Sequence, residues 1–201
     1  MKTVARIHCA TLVAVAFSFP VAGAGGSDPA SGYTARSGKI SFNVNSNISF
    51  LKVSGSSSAI KGGGKAAVDG SDVVVRDLHF EVDPKSFKTG IGLRDQHLYE
   101  KVFMASDGSV PPIILKAERF QATPNGSAST WEGNLQAQVT MRGITKPVVF
   151  RATLEKNGDG AVVAAEGTLK TSDFGVKPIT YSGATVGEQV ALTVSNLRVA
   201  P

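Results

Sequence analysis

Arg94, Asp95 and His97 stand within four positions of one another in "FKTGIGLRDQHLYEKVF" (87–103), the densest gathering of cation, acid and base in the chain. A carboxylate beside an imidazole can work as an acid–base pair, and an adjacent guanidinium can hold an anion. The spacing opposes the first use. Residues two apart on a helix do not face each other, and an Asp at a helix start has its oxygens engaged by backbone N–H groups. Asp95 is therefore read as the N-cap of a short helix, accepting from the N–H of His97 or Leu98. No residue is assigned a catalytic role. Arg94, His97 and Tyr99 are read as groups that orient the polar end of a ligand at a mouth.

Other chemistry finds no setting. There is no Gly-x-Ser-x-Gly elbow to activate a serine. Beyond position 24 only His79 and His97 remain, without a cysteine and without ligand spacing, so neither a metal nor a cofactor is expected. "KGGGK" (61–65) lacks the spacing of a phosphate loop and reads as a flexible hairpin tip. "GIGLRD" (90–95) has two of the three glycines of a dinucleotide fingerprint and no strand–helix–strand setting. His79 alternates against Leu78, Phe80 and Val82 and reads as a solvated strand residue.

Bulk features narrow the class. Lys2 and Arg6, an apolar run from Ala10 to Phe19, and Ala22-Gly23-Ala24 form the order of a secretory signal peptide cleaved near Ala24. A periplasmic or secreted protein is expected. Cys9 leaves with that leader, so the exported chain relies on its core rather than on disulfides. Removing 24 of the 201 residues leaves 177, enough for one domain, and 19 basic residues then face 16 acidic ones. So mild an excess, without a basic run, does not suggest nucleic acid. Gly, Ser and polar residues over 25–37 suggest a loose mature N-terminus before a domain at 38–199.

Period-two alternation then dominates. "WEGNLQAQVTM" (131–141) sets Trp131, Leu135, Ala137, Val139 and Met141 against Glu132, Asn134, Gln136, Gln138 and Thr140. That pattern is a half-buried antiparallel strand. The same rhythm runs through 40–44, 74–82, 113–117, 148–155, 164–170 and 190–194, with glycine turns between, including Gly62-Gly63-Gly64 and Asp69-Gly70. One apolar face and many short strands predict an all-β antiparallel barrel of about eight strands, closed so that no edge is left. Leu98, Tyr99, Val102 and Phe103 instead follow helical spacing and predict one short helix over 96–103 capping an end.

Three segments in order, "KTGIGLRDQHLYEKVF" (88–103), "VTMRGITKPVVF" (139–150) and "TSDFGV" (171–176), resemble those of YceI-like proteins. The resemblance covers about 38–199. Thr89-Gly90, Arg94-Asp95 with His97-Leu98, Phe103, Gly143 to Val148 and Asp173-Phe174-Gly175 match its motifs. It implies a lipocalin-like barrel that binds polyisoprenoids or other long isoprenoid lipids in the bacterial envelope. Thr171 stands where the family often carries Arg, which leaves this copy without that cation for an anionic head.

Small residues at inward positions, among them Gly133, Ala137, Ala152, Ala165 and Gly167, favour a hollow lumen over a filled one. The residues expected to touch a ligand are Phe42, Leu78, Phe80, Leu98, Phe103, Leu115, Leu135, Ala137, Val139, Phe150 and Phe174, with Arg94 and His97 at the mouth. Ala137→Phe is expected to narrow the lumen, and Arg94 is guessed to pair with Asp173 or with a ligand head. The reading is a non-catalytic, exported binder of an isoprenoid lipid or quinone tail, compatible with a homodimer. Two others stay open: an envelope enzyme on a lipid-like substrate with His97 as base, and a filled barrel that binds protein partners through loops such as 104–112.

Overall fold

Alternating side chains build the wall, and register irregularities sharpen its bend. The computed structural model describes residues 31–48, 52–127, 129–181 and 183–201; the leader and residues 25–30 lie outside these. The elements are β1 (Ser31–Ser46), β2 (Lys52–Ser57), β3 (Ile60–Asp69), β4 (Asp72–Val82), the helix α1 (Gly92–His97), β5 (Ile113–Pro124), β6 (Thr130–Met141), β7 (Ile144–Asn157), β8 (Gly160–Lys170), β9 (Thr180–Tyr181) and β10 (Ala184–Ala200). Neighbouring strands in the sheet pair antiparallel, and β1 pairs with β10 to close the ring. The first part of β1 holds β3 and its later part holds β2, so these two form successive halves of one wall strand. The closed barrel therefore has eight staves, with β9 a two-residue arm on β10. Along β6, Leu135, Ala137, Val139 and Met141 are buried while Asn134, Gln136 and Gln138 are exposed, which is the expected alternation.

The wall begins earlier than its composition suggests. Residues 31–37, expected to be loose, are the first half of β1 and are laddered to β3 on one side and β10 on the other. Small polar residues give no burial signal, yet their backbone groups are paired all the same.

The triple glycine is a further correction. Gly62, Gly63 and Gly64 are no hairpin tip; they lie inside β3, and the tip falls at Gly70 and Ser71. Between Gly63 and Lys65 the register shifts because β4 carries one extra residue there, with Asp77 at a φ of 53°. Such bulges add one residue on a strand and sharpen its bend. They also switch parity: in β4 the cavity-facing residues are Val73 and Val75, then Leu78, Phe80 and Val82. In β10 they are Val190, Leu192 and Val194, then Leu197 and Val199, with Asn196 at φ 51° in the gap. Asp and Asn are the side chains that tolerate the left-handed region best. Asn196 is exposed, so its replacement tests the backbone alone. Asn196→Val is expected to lose about 1–2 kcal/mol in urea unfolding, and Asn196→Gly to stay near wild type.

Small inward residues serve closure differently from expected. A Cβ on Gly167 would sit 2.6 Å from the Phe150 ring, and one on Gly55 would sit 2.5 Å from the Phe42 ring. Each glycine pairs across the ladder with the aromatic that covers it. The ring shields the bare backbone, a pairing that pins register. A Cβ on Gly133 would meet the Gln121 carbonyl at 2.4 Å. These glycines accept neighbours and leave no void.

Candidate functional site

A cavity of about 660 Å³ occupies the barrel interior. Its lining reaches from Val68 and Lys156, at the end carrying the β3–β4 and β7–β8 turns, to Ile91, Leu93 and Lys177, at the end carrying α1. The wall between is aliphatic and aromatic, as the inward face of every strand dictates. Its size falls within the ~300–1,000 Å³ range of ligand sites. The volume comes from medium side chains set around a closed ring, with the small Ala152 and Ala165 paired across β7 and β8.

Most residues expected to touch a ligand converge here: Phe42, Leu78, Phe80, Leu98, Phe103, Leu115, Leu135, Val139 and Phe150 all border the cavity, with Arg94 and His97 at its helix end. Two do not. Ala137 is buried in the core without reaching the cavity, so Ala137→Phe overpacks a closed region instead of narrowing the lumen. Phe174, 1% exposed, is the buried end of a 3₁₀ turn at Thr171–Phe174 and borders a separate 230 Å³ depression with Lys146 and Asp173. Trp131, set on the inward face but not among the expected ligand contacts, lines the cavity and donates its Nε1–H to the Ser71 carbonyl at 2.9 Å.

The helix-end mouth is shaped by the segment that first drew attention. Asp83 caps a 3₁₀ turn at Pro84–Ser86 through the Lys85 N–H. Ser56 and Lys88 then exchange two backbone hydrogen bonds that tie the segment to β2. Phe87 stacks at 5.9 Å from Phe42 and 5.6 Å from Phe103, anchoring the helix to the wall. The helical run is longer than expected, starting at Gly92, and its last turn from Leu98 to Phe103 is wound as a π-helix.

Asp95 is not its N-cap. Ile91 holds that position without a side-chain cap, and Asp95 points back to Thr89, accepting from its N–H at 2.8 Å and from its hydroxyl at 2.6 Å. Arg94 Nη2 donates to the Thr89 carbonyl at 2.9 Å, and no ion pair joins Arg94 to Asp173. The Arg-Asp pair is thus a lock on the Thr89-Gly90-Ile91 turn, with Gly90 at φ 83°. Tyr99 is engaged as well: its hydroxyl is directed at the Lys85 and Phe87 carbonyls, away from the cavity. Arg94 Nε is buried with no hydrogen-bond partner, while the Arg94 side chain borders the cavity at its helix end.

The bonds from the Thr89 hydroxyl and then its N–H hold the Asp95 carboxyl below the usual carboxylate range; Lys88 and Arg94 add to this and burial opposes it. A carboxyl depressed on folding stabilises fully above its unfolded value, near ~3.9, and ceases to do so as pH falls through the lower folded value. Asp95→Asn is expected to cost about 1–2 kcal/mol at neutral pH. The gap from wild type should shrink below about pH 4, as followed by urea unfolding across pH.

Comparison with known proteins follows the same lines. A YceI-like domain model matches residues 33–196. A UPF0312 protein of Pseudomonas paraeruginosa (strain DSM 24068 / PA7) is 31% identical over 123 residues, 58% of this chain and 60% of that protein. One from Pseudomonas aeruginosa (strain LESB58) matches over the same share, so the chain spans about 60% of the length of these curated relatives. Among solved structures, BcnA of Burkholderia cenocepacia superposes with a TM-score of 0.60 at 17% identity, over 82% of this chain and 96% of that one. A polyisoprenoid binding domain from Saccharophagus degradans, implicated in plant cell wall breakdown, gives 0.57 at 11%, over 84% and 98%. The Campylobacter jejuni YCEI protein gives 0.52 at 17%, over 74% and 85%. At such identities the likeness is one of fold.

Proposed function

Since the chain belongs to the YceI-like domain family, we propose that it is a non-catalytic binding protein whose lumen shelters the tail of a long isoprenoid lipid or quinone. The observation that carries this reading is the cavity itself: about 660 Å³, apolar along its wall and continuous from one barrel end to the other. The Saccharophagus degradans neighbour, described as a polyisoprenoid binding domain, supports the ligand class. So does the magnitude. Twelve or so methylene equivalents leaving water contribute ~10 kcal/mol at ~0.8 kcal/mol each. Micromolar binding needs ~8 kcal/mol, so a longer tail covers the ordering cost without a metal or covalent bond.

The polar head would sit at the helix end, where Arg94 and His97 border the cavity. Thr89 occupies Asp95 Oδ1, which argues against an Asp95–His97 acid–base pair. The order of residues 1–24 supports export to the periplasm or exterior, where such a carrier would work in transport, storage or protection of the envelope.

Trp131, the single tryptophan, lines the lumen and offers a direct reading of occupancy. Titration with farnesol is expected to shift its fluorescence saturably. Mass spectrometry of protein purified from its native envelope is expected to release an isoprenoid or quinone. A flat titration together with lipid-free protein sinks the proposal.

A further inference from the structure

The helix-end rim carries a feature that lipid storage alone does not require. Ile91 is 54% exposed and Leu93 56% exposed, although both also border the cavity. Apolar surface therefore runs unbroken from the lumen onto the outside. The glycines flanking Ile91 have open space around them: a Cβ on Gly90 or Gly92 would meet no atom within 4 Å. Among the described residues none covers the outer side of Ile91 and Leu93, which keep more than half of their surface exposed.

Charge around it leans positive. The segment 83–103 bears Lys85, Lys88, Arg94 and Lys101 against Asp83, Asp95 and Glu100, and the Asp83 carboxylate accepts from the Lys85 N–H. Asp95 is turned inward onto Thr89, and Glu100 accepts from Gln96. Lys88 is 66% exposed, and the exposed Lys177 lies across the same mouth. Glu188, also at the rim, is held by Lys170 at 3.4 Å and by Ser172. The opposite end of the barrel carries Asp69, Asp72, Glu155 and Asp159 against Lys156 on its turns and strand ends.

We infer that the helix-end rim is a docking surface for an anionic lipid bilayer, with Ile91 and Leu93 inserted at the headgroup boundary and the lysines over the phosphates. This rests on the lipid-binding reading and extends it to how the ligand enters. A tail that crosses open water loses about fourfold in its equilibrium for every methylene exposed. A mouth seated on the bilayer removes that crossing. The charge difference between the two ends orients the barrel mouth-down on an anionic surface, and apolar insertion with flanking lysines is how amphipathic segments hold an interface.

The experiment uses the mature protein in flotation with phosphatidylcholine vesicles, with and without a third of phosphatidylglycerol, alongside farnesol titration by Trp131 fluorescence. Wild type is expected to float with the anionic vesicles and to be released by high salt. The Ile91→Ser/Leu93→Ser double variant is expected to lose about tenfold or more in partitioning while keeping the wild-type urea midpoint. No flotation of the wild type, or equal flotation of the variant, overturns the inference. Flotation lost only with the double variant while farnesol fails to bind even the wild type upholds the docking surface and removes the lumen reading instead. A concentration-dependent doubling of mass that the double variant abolishes, without flotation, assigns the lip to a second copy of the chain and overturns the bilayer.

Discussion

Gly63→Ala is expected to remove more than about 3 kcal/mol of stability, a large share of the ~5–15 kcal/mol that holds a typical domain together. The added methyl would lie 1.8 Å from the Tyr33 carbonyl oxygen and 2.9 Å from its carbon. Both are backbone atoms of β1, so no rotamer relieves the overlap. Either β1 separates from β3, where Thr34 pairs with Gly63, or β3 separates from β4, where His79 does. In each case a ladder that closes the ring is opened, and a barrel with one open seam exposes its lining to water. Gly32→Ala is the matching control: it lies on the same β1–β3 ladder, but its Cβ would meet nothing within 4 Å. That substitution is expected to be neutral or to gain up to about 0.5–1 kcal/mol from lost chain entropy. Urea midpoints of the two variants decide the matter; equal midpoints would remove the close approach as the reason for glycine at 63.

The misreading of this glycine shows where local sequence stops being informative. A run of glycines looks the same whether it turns a hairpin or lets a neighbouring strand approach, and only the partner, Tyr33, distinguishes them. The wall of β6 and β7 was legible because each residue alternates faces without interruption from Trp131 to Met141 and from Val148 to Leu154. In β4 and β10 the same period is broken by one residue. The apolar positions 73, 75, 78, 80 and 82, and 190, 192, 194, 197 and 199, carry that break in plain view. The Asp and Asn in the gaps are equally at home in turns, and a strict alternation template discards the pattern at that point.

The mouth was legible as a place and not as a mechanism. Arg94 and His97 do border the cavity. Asp95 was taken for an N-cap because an acid before a helical apolar run usually is one. Its true partner, Thr89, lies six residues back across a turn that only Gly90 permits. A Thr-Gly preceding an Arg-Asp was the available signal, and its physical content is a side chain folded back to lock the turn. What this turn presents to the outside is Ile91, and α1 beyond it presents Leu93. Arg94 and Asp95 thus act on shape: both bond Thr89 and lock the turn that carries Ile91 at the cavity's helix end.

If the tube is where the tail lies, Ala165→Phe should reduce affinity for a prenyl ligand close to a thousandfold while the barrel stays folded. Ala165 is buried, borders the cavity, and pairs with Ala152 on one side and Val194 on the other, both of which border it too. A phenyl ring projecting from this stave takes the space of about five methylene equivalents, worth ~4 kcal/mol of transfer free energy at ~0.8 kcal/mol each. Because it enters space that is already empty, the strain that normally accompanies overpacking, about 1–3 kcal/mol, should largely be avoided. Ala164→Phe carries the identical chemical change to the neighbouring, exposed position on the outer face and is expected to leave affinity as it was. The contrast separates a ligand inside the barrel from one held on its surface, since composition, charge and hydrophobicity are the same in the two variants. Titration of both with farnesol, read from Trp131 and checked by radiolabel retention, measures it. Wild-type affinity in Ala165→Phe with a native unfolding curve would place any bound lipid outside the lumen, and with it the carrier reading would fall.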